Sequence, residues 1–162
     1  MTKHRKVLAG IIDELIARDA ECSIILGGSM SRGEEREDSD IDVCVWLSRE
    51  PDPKSFNDLI GEGNRNKMHV FAERDGIKID IGWKLLDSAP ADIPDSQEMV
   101  YYPMVLWTIV RDPSGKVQRW VQAMRRWLER HVWVAEVWGK QYDDMCRHKK
   151  DPSRPLKYNE QE

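Results

Sequence analysis

The first quarter of the chain changes from a helical to a strand-like pattern of apolar positions. Apolar residues recur every three or four positions up to residue 16, which predicts an amphipathic helix ending near Ala20–Glu21. These positions are Val7, Leu8, Ile11, Ile12, Leu15 and Ile16. Residues 23–26 form a short apolar run that stops at Gly27 and Gly28, which favours a buried strand over a helix.

Alternating patterns predict three further strands in the middle of the chain. From residue 40 to about residue 47 every second side chain is apolar, while Asp40 and Asp42 lie on the opposite face. Residues 67–73 and 77–83 are joined by Asp-Gly, which favours a hairpin because glycine accepts the positive φ of a type I′ turn. Asp80 lies in the second arm of this hairpin, between two isoleucines.

The last third of the chain predicts one strand followed by helices. Residues 105–110 favour a strand that ends in a turn at residues 111–115. The next apolar positions follow helical spacing: Val117, Trp120, Val121, Met124, Trp127 and Leu128. We expect a second helix at about residues 133–148 and a short one at residues 54–61, and we interpret the tryptophans beyond residue 100 as packing residues.

Composition and charge narrow the class of protein. The chain has 162 residues, of which 40% are hydrophobic and 33% charged, and this fits one globular domain. The formal net charge of −4 argues against a protein that coats nucleic acid, although metal ions can screen the phosphates of a nucleotide substrate. No apolar run approaches the roughly 18 residues of a membrane span, and no signal sequence is evident, so we expect a cytoplasmic protein.

Cysteine and histidine do not indicate a metal or disulfide framework. The three cysteines include no CxxC pair, and the four histidines have spacings that suit no zinc site. We interpret all seven residues as structural or incidental.

Three polar features carry the candidate chemistry. A Gly-Gly-Ser triplet at residues 27–29 ends a strand, and such glycines let backbone N–H groups approach an anion while the serine hydroxyl donates to a phosphate oxygen. Asp40 and Asp42 leave one face of a strand with Cα atoms roughly 6.5 Å apart. Asp80 lies on a separate strand. Taken singly, these features are more often a turn, a turn cap and an edge residue in water.

Together, the three features favour metal-dependent phosphoryl chemistry. Two carboxylates about 6 Å apart repel by roughly 3 kcal/mol at an effective dielectric constant of about 20. A cluster of them on a sheet therefore indicates Mg²⁺ or Mn²⁺, which prefer oxygen ligands. In such chemistry one metal binds the triphosphate and stabilises the leaving pyrophosphate, and the other lowers the pKa of an attacking hydroxyl.

The arrangement resembles the signature of the polymerase-β-like nucleotidyltransferase superfamily. Gly28-Ser29 is followed after ten residues by Asp40-Ile41-Asp42, and later by Ile79-Asp80-Ile81. The resemblance covers about residues 20–115, and residues 106–115 are similar to the end of the catalytic domain in small-molecule nucleotidyltransferases such as the aminoglycoside-modifying enzymes.

The resemblance implies a role for each matching residue. Asp40 and Asp42 would bind two metal ions, Mg²⁺ or Mn²⁺, and Asp80 would hold the one that activates the acceptor hydroxyl. Gly28 and Ser29 would hold the β- and γ-phosphates of a nucleoside triphosphate (NTP). Arg32 lies one turn past Ser29 and is a candidate contact to the triphosphate.

These observations lead to an expected fold and domain plan. We expect an α/β (α+β) protein with a small mixed β-sheet, the three aspartates on one face and helices on the other. Residues 1–115 would form the catalytic domain, residues 116–150 a C-terminal pair of helices, and residues 151–162 a flexible tail.

The expected reaction moves a nucleoside monophosphate (NMP) group from an NTP to a hydroxyl of a small-molecule acceptor, with release of pyrophosphate. An aminoglycoside-like antibiotic is one such acceptor, whereas nucleic acid and membranes are not expected partners. Family members that modify small molecules usually carry a sizeable helical domain after the core, and only about 45 residues follow Gly115 here. The acceptor site is therefore expected to be small, shared with another subunit, or absent because the chain is shortened.

Two alternatives stay open. The first is a minimal nucleotidyltransferase of the antitoxin kind that modifies or sequesters a partner toxin protein, since the chain is short and the segment Gly-Ser-Met-Ser-Arg-Gly at residues 28–33 is similar to that group. The second is a non-catalytic nucleotide-binding module that keeps the fold.

Overall fold

The computed structural model describes residues 2–51, 64–65, 69–88, 107–132, 136 and 140, which include a six-stranded sheet and helices on both of its faces. The strands are β1 (Ser23–Leu26), β2 (Ile41–Leu47), β3 (Asn64–Arg65), β4 (His69–Arg74), β5 (Ile77–Leu85) and β6 (Thr108–Arg111). The helices are α1 (Lys3–Arg18), the single turn α2 (Gly28–Ser31) and α3 (Lys116–Arg130), and a 3₁₀ turn covers Leu86–Ser88. The predicted α/β (α+β) class is confirmed.

The sheet is mixed, with the strand order β3-β4-β5-β2-β1-β6. Strands β2 and β5 run parallel, whereas β1 pairs antiparallel with both β2 and β6, and β4 pairs antiparallel with both β3 and β5. The predicted hairpin joins β4 to β5, and both of its turn residues have positive φ, 54° at Asp75 and 73° at Gly76. The β2–β5 pair is central because it brings two segments nearly forty residues apart side by side.

One face of the sheet, called here the α1 face, is lined with buried apolar side chains along β2 and β5. Thr2 caps helix α1 through Oγ1, which accepts a hydrogen bond from Arg5 N at 3.3 Å, and the apolar side of the helix packs on this face. The buried apolar residues contributed by α1 are Val7, Leu8, Ile11 and Leu15, and those contributed by β2 and β5 are Ile41, Val43, Val45, Leu47, Ile77, Ile79 and Ile81. The alternation in the sequence placed these side chains correctly.

The opposite face, called here the carboxylate face, has a polar end and an apolar part that is covered by α3. Asp42 and Asp80 lie at one end, and Cys44 and Trp46 follow on the same side of β2 and are buried under α3. The second core cluster contains Ile25, Cys44, Trp46, Leu86, Val117, Trp120, Val121 and Met124. The expectation that helices lie only on the face opposite the aspartates is therefore wrong. Alternation identifies which residues share a face, but not which later helix covers it.

Helix α3 is tied to the sheet through the turn that precedes it. Asp112 accepts hydrogen bonds from Gln118 N at 2.7 Å and from Ser23 Oγ on β1 at 2.8 Å. Gly115 adopts φ 67° immediately before the helix. The predicted turn thus anchors the start of α3 to β1, and this places the helix on the carboxylate face.

Several predicted elements fall outside the described residues: the short helix at residues 54–61, most of the second C-terminal helix and the tail from residue 151. The domain boundaries stay predictions. No helix in the described part of the chain is both long enough and apolar enough to cross a membrane.

Candidate functional site

The glycine turn after β1 lies directly against Asp42. Gly27 N donates a hydrogen bond to the backbone oxygen of Asp42 at 2.8 Å, which continues the β1–β2 pairing into the turn. Gly28 has φ +60°, and a Cβ placed there would overlap Asp42 Oδ2. A residue with a side chain would therefore meet both a strained backbone conformation and the Asp42 carboxylate, so glycine is favoured at this position.

Asp42 and Asp80 form a pair across the parallel strands. They are direct register partners, and neighbouring strands lie about 4.8 Å apart, so their side chains leave the same face side by side. Both residues are partly buried. Like charges directly opposite each other destabilise a sheet. A pair kept in spite of that cost indicates a site whose function needs two adjacent carboxylates.

Asp40 is placed next to this pair in the chain but not within the sheet. It lies one residue before β2 and is partly buried. Among the described residues, no three His, Cys, Asp or Glu side chains are grouped closely enough to hold a metal ion. The structure thus brings Asp42 and Asp80 together without gathering the three predicted ligands into one cluster, and the metal-binding roles stay a prediction.

The carboxylate pair nevertheless fits a hard divalent cation. Mg²⁺ is usually held by one or two carboxylates together with water and substrate phosphates, and not by a complete cage of protein ligands. Asp42 and Asp80 supply two adjacent carboxylates, and the Gly28 turn against Asp42 is where phosphate oxygens are expected. The donor set is all oxygen, which suits Mg²⁺ or Mn²⁺ and disfavours softer metals.

The thiol beneath the pair does not add a charge to the site. Cys44 follows Asp42 on the same side of β2 and is 3% exposed. Burial raises the pKa of Cys44 to about 12, the Asp80 charge also raises it, and Lys84 opposes the shift. The Lys84 ammonium lies 5.7 Å from the centre of the Trp46 ring. Cys44 is therefore a neutral packing residue, as predicted for the cysteines.

The segment from Gly28 to Glu34 is closed by its own hydrogen bonds. Gly28 O accepts from Ser31 Oγ and from Arg32 Nη1, both at 3.0 Å. Ser29 O accepts from Arg32 N at 3.2 Å and from Glu34 N at 2.9 Å. The Arg32 side chain, proposed from the sequence as a triphosphate contact, is thus bonded to the backbone of the turn itself.

Two aromatic residues near the site were missed by the sequence analysis. The ring of Trp107 packs on Gly27 so closely that a Cβ there would come within 2.7 Å of Trp107 Cε2. Phe71 is the register partner of Asp80 on β4 and is 43% exposed. Its signal in the sequence is an aromatic residue on the polar side of an alternating strand. Nothing in the local pattern around Trp107 indicated its contact with Gly27.

Comparison with known proteins agrees with this geometry. A family model described as a nucleotidyltransferase domain matches residues 8–103, which include the glycine turn, all three aspartates and the β4–β5 hairpin. A search of curated proteins found no match. The matched region covers more than half of the chain and contains the motif from which the resemblance was inferred. The chain therefore belongs to the nucleotidyltransferase domain family of the polymerase-β-like superfamily, and it is a nucleotidyltransferase that moves an NMP group from an NTP.

Proposed function

We propose that this protein transfers the NMP group to a hydroxyl of a small-molecule acceptor, in a reaction that depends on Mg²⁺ or Mn²⁺. The observation that carries the proposal is the placement of Asp42 directly beside Asp80, with the Gly28 turn against the Asp42 carboxylate. Carboxylates and a glycine turn in contact are what a metal-bound triphosphate requires.

Each residue has a defined task in this proposal. Gly28 and Ser29 hold the β- and γ-phosphates through backbone N–H groups and the serine hydroxyl. Asp42 and Asp80, with Asp40 one residue before β2, would hold the divalent ions. When bound, such ions polarise the phosphate oxygens and lower the pKa of the acceptor hydroxyl. Asp80, on the acceptor side of the pair, orients that hydroxyl for attack.

The covalent change is a single exchange at the α-phosphorus. The acceptor oxygen forms a bond to this phosphorus, and the bond from the phosphorus to the bridging oxygen of the β-phosphate breaks. Pyrophosphate leaves with that oxygen, and the hydroxyl proton is released to water. The protein positions the reactants and balances the charges, since no covalent enzyme intermediate is needed.

Two features support a small acceptor over a polynucleotide. The formal net charge of −4 gives little electrostatic attraction for a polyanion. In addition, Phe71 lies on β4 in the position beside Asp80, and its ring is exposed. The ring offers an apolar surface against which a small acceptor can pack next to the carboxylate pair.

The test is calorimetric titration with α,β-methylene-ATP, which cannot release pyrophosphate. Wild-type protein is expected to bind the analogue in Mg²⁺ and to lose that affinity in EDTA. Asp42→Asn and Asp80→Asn should each weaken the Mg²⁺-dependent affinity. Asp13→Asn is the matched control, because Asp13 is an exposed carboxylate on α1, which packs against the other face.

An acceptor screen completes the test. Purified protein, Mg²⁺ and α-labelled NTP are incubated with panels of small polyols, aminocyclitols and aminoglycosides, and with purified proteins. Label on a small molecule supports the proposal, whereas label only on a protein supports the antitoxin alternative. Equal analogue affinity in Mg²⁺ and in EDTA would contradict metal-dependent transfer altogether.

A further inference from the structure

The carbonyl group of Gly28 is held by two donors on the side of the turn formed by α2. Ser31 Oγ and Arg32 Nη1 each donate to it at 3.0 Å. In a trans peptide the C=O and the following N–H point in opposite directions. Fixing the Gly28 carbonyl therefore also fixes the direction of the Ser29 N–H group, which belongs to the same peptide plane.

Arg32 is held in this position by a second partner. Its Nε donates to Glu34 Oε2 at 2.9 Å, so the guanidinium uses two different edges, one for Gly28 and one for Glu34. Glu34 is fixed in turn because its own backbone N–H donates to Ser29 O at 2.9 Å. The three groups close a ring of hydrogen bonds in which Glu34 orients Arg32 and Arg32 orients the Gly28–Ser29 peptide.

The rest of the turn is attached to the sheet on both sides. Gly27 N bonds to Asp42 O at 2.8 Å, and Thr108 Oγ1 donates to Ser31 O at 3.2 Å. These contacts hold the ends of the turn, while the contacts of Arg32 hold the peptide between them. A glycine at φ +60° has more accessible conformations than other residues, so this peptide is where a fixing contact has the largest effect.

We propose that Arg32 and Glu34 are positioning residues of the nucleotidyltransferase site: Glu34 holds Arg32 against the Gly28 carbonyl, and Arg32 thereby presents the Gly28–Ser29 peptide to the triphosphate. This inference rests on the proposed function of the glycine turn. It differs from the expectation that Arg32 itself contacts the triphosphate, because it gives Arg32 an indirect role through its bonds to Gly28 and Glu34.

The two possible roles of Arg32 predict opposite changes in the affinity for the analogue when Glu34 is replaced by glutamine. If Arg32 contacts the triphosphate, Glu34→Gln removes a competing carboxylate and should tighten binding of the analogue. If Arg32 is a positioning residue, Glu34→Gln loosens the turn and should weaken binding by about twofold to fivefold, the range of an exposed ion pair. The side chains are 37% and 63% exposed, which places the pair in that class.

The experiment measures the dissociation constant of α,β-methylene-ATP with Mg²⁺ by calorimetry. Glu37→Gln is the matched control, because it removes an exposed carboxylate from the same acidic loop and reports the simple charge effect. Arg32→Ala should weaken binding about tenfold or more, since a hydrogen bond from a charged donor is lost. Arg32→Lys should resemble Arg32→Ala within about threefold, because lysine lacks the rigid fork that reaches two acceptors.

Thermal unfolding separates positioning from a structural role. All four variants should unfold within a few degrees of wild type, since the residues changed are exposed. Tighter binding by Glu34→Gln than by Glu37→Gln, or unchanged binding by Arg32→Lys, would overturn the inference. Wild-type protein that does not bind the analogue in Mg²⁺ would overturn the proposed function itself.

Discussion

The two faces of the sheet are built from the same strands, but one face forms the hydrophobic core under α1 and the other carries the candidate site. On the α1 face, β2 and β5 present buried aliphatic side chains to α1, and only the end of β5 is partly buried. On the carboxylate face the same strands carry Asp42 and Asp80, and β2 becomes apolar at Cys44 and Trp46 beneath α3. Adjacent residues of one strand therefore belong to different regions: Asp80 to the site and Ile81 to the core. Stability and chemistry are separated here by one position along the chain.

The largest expected effect is on activity, from Asp80→Asn. Loss of a carboxylate that holds a divalent ion removes several kcal/mol of transition-state stabilisation, so turnover should fall by at least about a hundredfold. The free energy of unfolding should stay constant or rise, because the like charge opposite Asp42 is removed. Pyrophosphate release and urea unfolding measure the two quantities. Undiminished turnover would show that Asp80 has no part in the reaction.

Ile81→Ala, one residue after Asp80 on β5, should lower stability and leave the affinity for the analogue nearly unchanged. Ile81 is 0% exposed, so its truncation should lower the free energy of unfolding by about 2–5 kcal/mol. The affinity of the folded protein for the Mg²⁺-bound analogue should stay within about threefold of wild type, because the side chain points to the α1 face. Ile81→Val, expected to cost about 0.5–1.5 kcal/mol, is the graded control. Equal loss of stability and analogue affinity would contradict the separation of the faces.

Gly28→Ala tests the contact between the glycine turn and the carboxylate face. The positive φ costs about 1–2 kcal/mol for a residue with a Cβ, and the methyl group would also displace the Asp42 carboxylate. Gly33→Ala is the matched control, since Gly33 has φ +70° and nothing lies within 4 Å of an added Cβ. Both variants should lose stability, measured by urea unfolding, but Gly28→Ala alone should lose affinity for the analogue. Equal affinities in the two variants would argue against the Gly28–Asp42 contact.

The smallest expected effects are on stability at low pH, through one ion pair made by α1 and one made by α3. The hydrogen bond from Arg5 on α1 holds the pKa of Glu35 below its ordinary 4.5, and Lys116 on α3 holds that of Asp87 below 3.8. A lowered pKa in the folded state means that the stabilisation is complete above the ordinary pKa and is lost as pH falls through the folded value. As the pH is lowered below about 4.5, the melting temperature of wild type should therefore decrease. The decrease should be smaller in Glu35→Gln and in Asp87→Asn, because each variant lacks one of the two carboxylates that are protonated. A profile that neither substitution changes would contradict these pairs.

The strand and helix pattern was largely predictable because it depends on local periodicity. Strand β1 has the predicted bounds, β2 starts one residue later than predicted, and the turn at Asp75 and Gly76 has the expected positive φ values. The two-residue strand β3 was not predicted, because so short a segment has no period to detect. We expected Asp40, Asp42 and Asp80 to share one face of the sheet, and the structure adds that Asp42 lies opposite Asp80 in register. The roles assigned to the candidate residues all stay predictions: Asp40, Asp42, Asp80, Gly28, Ser29 and Arg32.

The sequence alone determined which side chains share a face of each strand, where the hairpin turns, and which three carboxylates and glycine turn are the candidates for chemistry. Tertiary structure decided that α3 covers the carboxylate face, that Trp107 packs on Gly27, and that Arg32 bonds to the Gly28 carbonyl. The reason is physical. Periodicity is set by backbone geometry within a few residues, whereas contacts between distant segments depend on the packing and hydrogen bonding of the whole fold.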